Sequence, residues 1–133
     1  MLLDGDVDAA VVGDKLPDPR LKYLIPDPET VAKSWAEKRG GVPINHMVVV
    51  REELSRSRPD LINDVFQRLH DSKRAAGLPD GPAVSDPYRF GVDACRPILE
   101  VIIDYCLQQQ LLPRRLTADE LFDDTTRSLT VAS

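Results

Sequence analysis

Residues 42–50 read V-P-I-N-H-M-V-V-V, from Val42 to Val50, and the reading of this stretch decides the fold. β-Branched and aliphatic residues in a short run, preceded by Gly40-Gly41 and carrying Pro43 at the start, argue for a buried strand. Side chains alternate across a strand. Ile44, His46, Val48 and Val50 therefore share one face, and Asn45, Met47 and Val49 share the other. A buried strand seldom accommodates an imidazole, and histidine is the side chain that changes charge near neutral pH. Two readings of His46 stand: a core histidine bonded to a backbone carbonyl, or a site residue. Asn45 and His46 can enter one cleft together only where the strand ends or bulges.

Outward from that stretch, composition bounds the class. The 133 residues are 42% hydrophobic, enough for one globular domain with a core. A net charge of −5 argues against a nucleic-acid surface. No apolar run approaches the ~20 residues that span a bilayer. Met1-Leu2-Leu3-Asp4-Gly5 lacks the basic start and long apolar core of a signal peptide, so the cytoplasm is the expected location. Two cysteines, Cys95 and Cys106, are eleven residues apart. On one continuous helix they would be separated by roughly 16 Å, too far for a disulfide. No cluster has metal-ligand spacing, and both cysteines read as small core residues.

Leu2 to Gly5 resembles the last turn of a helix closing on a glycine cap, followed by an expected strand over 7–12. A domain that opens in this way is expected to have lost its front half. Asp14 to Ile25 is a proline-punctuated connector whose last five residues could form a short strand. Asp27 caps a helix expected over 28–39, with Pro28 first and Val31, Ala32, Trp35 and Ala36 as its apolar stripe. A second helix is expected over 59–76, burying Leu61, Ile62, Val65, Phe66 and Leu69 and stopping at Gly77. His70, at the edge of that face, is expected to be solvated or stem-packed. Residues 78–88 form a proline-rich loop, either bordering a cleft with Tyr88, Arg89 and Phe90 or serving as a plain connection.

A long helix over 97–110 is apolar on more than one side and should lie between layers. Arg96, Glu100, Asp104 and Gln108, spaced by four, read as its solvated stripe. Thr117-x-x-Glu120 is a capping box for a last short helix over 118–122. Asp123-Asp124 reads as a solvated helix end rather than a cation site. The fold class is thus α/β, helix-rich with a few short strands. Residues 1–25 form a lobe remnant and connector, and 26–133 the remainder.

The order of these pieces resembles 4,5-dihydroxyphthalate decarboxylases. The resemblance is carried by D-G-D-V-D-A-A-V-V-G, by V-P-I-N-H-M-V-V-V-R, by the loop ending Y-R-F-G, and by L-L-P-R-R-L-T-A-D-E-L-F-D-D-T-T. P-I-N-H and P-R-R-L-T-A-D-E-L-F-D-D are the most specific segments. The resemblance implies the C-terminal portion of a two-lobed type 2 periplasmic-binding-protein fold, with ligands held beyond strand ends. It implies a small aromatic carboxylate as partner, and decarboxylation of a 4,5-dihydroxyphthalate-like substrate to a protocatechuate-like product in aromatic catabolism. Each carboxylate of such a substrate lies para to a hydroxyl, so the ring serves as its own electron sink and no cofactor is required.

That chemistry needs an acid and a cation. His46 is the expected proton donor. Arg89, Arg51 and Lys15 are candidates for the retained carboxylate, with Asn45 and Tyr88 as further substrate contacts. The alternatives are a non-catalytic solute-binding protein using the same cleft, and an inactive fragment that dimerises. Self-association into a homo-oligomer is expected from the apolar helix near Ile98 to Leu107.

Overall fold

The computed structural model describes residues 2–11, 18–79 and 84–131. The chain divides into two compact units, Met1–Val31 and Ala32–Ser133. Among the described residues five α-helices run in order: α1 (Pro28–Arg39), α2 (Glu52–Ser57), α3 (Pro59–Ala75), α4 (Val92–Gln108) and α5 (Asp124–Arg127), with a 3-10 turn at Ala118–Leu121. Among the described residues no strand forms, and no helix is long and apolar enough to cross a membrane.

The first unit is built from turns. Gly5, at φ 82°, closes one by donating to the Leu2 carbonyl. The strand expected over 7–12 does not form at 7–11, and residue 12 lies outside the described residues. Leu21 to Ile25 is likewise irregular. Asp18 holds Arg20 through both side-chain oxygens, which fixes the turn around Pro19. Asp27 caps α1 as expected: its carboxylate accepts from the Thr30 amide at 3.4 Å.

In the second unit, Gly40 at φ 79° and the Gly41 amide bonded to the Ala36 carbonyl end α1. Trp35 is half-buried and Ala36 buried. The strand expected over 43–50 is absent. The run passes without turn or bend, and from Asn45 onward every residue is exposed. β-Propensity expresses fit to a neighbouring strand, and these residues have no such neighbour among the described residues. Ile44 packs on the cluster of Cys95, Leu99 and Ala118, as does Phe122.

α3 matches expectation in extent and stops at Gly77, whose φ is 67°. Its buried face is rotated from the expected one. Val65 and Leu69 are about 40% exposed, while Ile62, His70 and Lys73 are buried. Phe90 sets this orientation: Phe66 and His70 meet its ring edge-on at 5.3 and 5.2 Å, and the Lys73 ammonium lies 5.7 Å from its centre. The expectation of a solvated or stem-packed His70 is corrected accordingly; it is 3% exposed against this aromatic face.

α4 begins five residues earlier than expected, so Pro97 is interior rather than first. Val92, Cys95, Ile98, Leu99 and Ile103 form one buried stripe at helical spacing. Of the expected solvated stripe, Gln108 is exposed, but Arg96, Glu100 and Asp104 are engaged. Arg96 grips Asp119 through two bonds of 2.7 and 2.9 Å, and Glu100 accepts from the Ala118 amide and from Arg115. Asp104 pairs with Arg115. These contacts dock residues 115–119 along the helix and carry Ala118 into the core, where it is fully buried. The capping box is present, with Glu120 accepting from the Thr117 amide and hydroxyl.

α2 was not foreseen. It has no apolar period, but Glu52-Glu53 in its first turn and Arg56 in its last suit the helix dipole. Ser55 is its buried residue, and its carbonyl accepts from the Thr125 hydroxyl of α5.

Candidate functional site

His46 and Asn45 lie side by side on the exposed run that leads into α2, and Arg51 is the residue at which that run becomes helix. All three are exposed. Five positions separate His46 from Arg51, and no regular element joins them. Asn45 and His46 adjoin in sequence, and neither lines the groove that Arg51 borders.

Arg51 borders a shallow open groove of about 540 Å³ lined with Val49, Val50, Glu53, Leu54 and Ser57. Valine and leucine side chains give it an apolar wall. Among the described residues the Arg51 guanidinium has no ion-pair partner, so it is available to an anion at the rim. Glu53 on the same rim opposes a second negative charge.

Arg89 is differently placed. Its Nη1 donates to the carbonyls of Gly40 at 2.7 Å and Ala94 at 3.0 Å, and its Nη2 to Val84 at 3.3 Å. The fork thus ties the end of α1, the loop after residue 83 and the first turn of α4. Gly41 permits this: a Cβ there would come within 2.7 Å of the guanidinium. Tyr88 is exposed beside it, but its backbone is fixed. Its amide donates to Asp86 at 2.8 Å, and its carbonyl accepts from Lys73 at 2.8 Å. Lys15 lies outside the described residues.

Buried chemistry lies away from the groove. Lys73 and Asp86 form an ion pair of 2.6 Å in the interior. Burial pushes the Cys95 thiol up, which keeps it protonated. Asp123 caps α5 by accepting from the Thr126 amide and hydroxyl at 2.8 and 2.6 Å. The buried Ser55 hydroxyl lies beside this carboxylate. Ser55 and then Thr126 hold the carboxyl down to about 2. This is a structural use of a carboxylate. No group of three or more metal-ligating side chains converges among the described residues.

Sequence reasoning missed Lys73, Asp86 and the structural role of Arg89. A lysine seven residues after Phe66 on the same helical face was the available signal for the first.

No family model and no solved structure matches the chain. Over 82 residues it is 34% identical to a 4,5-dihydroxyphthalate decarboxylase of Comamonas testosteroni, an alignment spanning 57% of this chain. The match covers 24% of that relative, so the chain spans about a quarter of the length of the curated relative it matches. The similarity supports a distant relationship.

Proposed function

We propose that this chain belongs to a carboxy-lyase acting on a dihydroxylated aromatic dicarboxylate, and that it supplies part of the substrate site. The observation that carries the reading is the 34% identity over 82 residues to a 4,5-dihydroxyphthalate decarboxylase. The two-lobed α/β architecture suggested by the same resemblance belongs to this proposal. Further support comes from the groove at Val49, Val50 and Leu54, whose apolar wall suits an aromatic ring while Arg51 offers a forked cation to a carboxylate.

The chemistry needs little from the protein beyond positioning and one proton. A proton delivered to the ring carbon bearing a carboxylate gives a cation delocalised onto the para oxygen. The carbon–carboxylate bond then breaks, its electron pair restores the aromatic ring, and carbon dioxide leaves. The proton replaces the carboxylate on that carbon. In this reading His46 supplies the proton and Arg51 holds the carboxylate that is retained. Asn45 and Tyr88 are exposed and available to the hydroxyls. Arg89 is left to its structural bonds.

Titration calorimetry with 4,5-dihydroxyphthalate tests the site. The chain should bind it, and Arg51→Ala should weaken binding by about tenfold or more, the worth of a charge-assisted hydrogen bond. Binding that Arg51→Ala leaves intact would remove the groove from the account. Binding without release of carbon dioxide would favour the second reading, a solute-binding protein, which the absence of His46 from the lining of the Arg51 groove would suit.

A further inference from the structure

The run from Val42 to Val50 has the composition of a strand and no strand to pair with. It forms no turn or bend. Among the described residues none of its amides donates a backbone hydrogen bond. Met47, Val48, Val49 and Val50 are 44%, 72%, 87% and 38% exposed, and Leu54 just beyond is 37% exposed. An exposed apolar run with open backbone donors and acceptors is a template for another strand.

We propose that residues 42–50 pair antiparallel with the same residues of a second copy, about a two-fold axis through His46. The sequence is self-complementary in this register. Val42 falls opposite Val50, Ile44 opposite Val48, and Pro43 opposite Val49. A shift of one residue in one direction sets Val42 opposite Arg51, and in the other leaves Val50 opposite Gly41. Cross-strand aliphatic pairs are the unit of sheet stabilisation, so the centred register is favoured.

Two further features select a second copy as the occupant. The first is continuity with the core. Ile44 already packs on Cys95, Leu99 and Ala118, and the partner's Val48 would lie beside it on the same face, extending that cluster. The second is charge. The exposed basic end of α1, Lys38 and Arg39, meets the exposed acidic first turn of the partner's α2, Glu52 and Glu53, in the antiparallel arrangement. A parallel pairing would set the basic end against itself.

Pro43 fixes the hydrogen-bond pattern. It has no N–H, so the Pro43–Val49 pair must be one that exchanges no backbone bonds. Pairs alternate along an antiparallel ladder, and His46 on the axis therefore exchanges both bonds with the partner's His46. The two Cα atoms would stand about 5.5 Å apart. Val48 of one copy, by contrast, would lie roughly 13 Å along the ladder from Val48 of the other.

The 133-residue chain should sediment as a dimer whose population rises with concentration, and no substrate is needed to see it. In a Cys106→Ser background, His46→Cys should cross-link into a disulfide dimer under mild oxidation, because about 5.5 Å lies within disulfide range. Val48→Cys in the same background should remain unlinked. Both positions are exposed, so neither substitution disturbs the core. A chain that stays monomeric at high concentration overturns the pairing, as would equal cross-linking at 46 and 48. A dimer that links through 48 and not 46 overturns the register.

Discussion

Lys73 Nζ sits 2.6 Å from Asp86 Oδ2, with the two side chains 6% and 1% exposed. The ammonium also donates to the Tyr88 carbonyl, and the second carboxylate oxygen accepts from the Tyr88 amide. Two charges that would be costly alone thus hold the loop carrying Tyr88, Arg89 and Phe90 onto α3. Removing one partner leaves the other charge buried and uncompensated. Lys73→Met and Asp86→Asn should each destabilise the chain by about 3–5 kcal/mol in urea unfolding. Lys73→Met combined with Asp86→Leu should recover much of that loss. Single-variant costs below about 1 kcal/mol would mean that the pair does not hold the loop.

Gly41 and Arg89 form a second coupled pair. A methyl group at 41 would displace the guanidinium from the carbonyls of Gly40 and Ala94. Gly41→Ala should therefore cost about 2 kcal/mol, close to one charge-assisted hydrogen bond. In an Arg89→Met background the same change should cost much less, since the obstruction is gone. A double-mutant cycle reads the difference. Equal costs in both backgrounds would place the strain of Gly41→Ala elsewhere.

Asp123 predicts an acid limb of stability. Its carboxyl is held at about 2 by Ser55 and Thr126, against an ordinary value of 3.8. A carboxyl lowered in the folded state contributes stability that is present above the ordinary value and lost as pH falls through the folded one. Asp119 and Glu120 are lowered as well, by Arg96 and Arg114 respectively, and share the direction. The melting temperature should fall as pH drops from about 4 to about 2. Asp123→Asn should lower it near neutral pH and flatten that fall, as followed by circular dichroism. An unchanged acid limb in the variant would assign the pH dependence to other carboxylates.

Much of the helical plan was legible in the residues. Asp27-Pro28, Gly77 and the Thr117–Glu120 box are local signals, and each marks an element end because its hydrogen bonds close within a few residues. The failures involve distant partners. Pro97 looked like a helix start, yet α4 begins at Val92. His70 looked solvated or stem-packed until Phe90, twenty residues on, covered it. Val42 to Val50 reads as a strand in any local sense, but a strand is completed only by a neighbour, and this chain offers none within its described residues. Of the site, Arg51 and His46 were found as isolated chemistry, while the ties that engage Arg89 could not be read from spacing. Lys15 and its neighbours lie outside the described residues.

The carboxy-lyase reading is tested most directly by incubating the chain with 4,5-dihydroxyphthalate and quantifying the monocarboxylate product by chromatography, beside a His46→Gln variant. His46 is exposed, so the variant should fold as the parent does. The account predicts product from the parent chain and a rate lower by about 10²–10⁴-fold in the variant, the range for loss of a general acid. No product from the parent, or product at the parent rate from His46→Gln, would contradict it: the first removes the activity from this chain, and the second removes the proton donor.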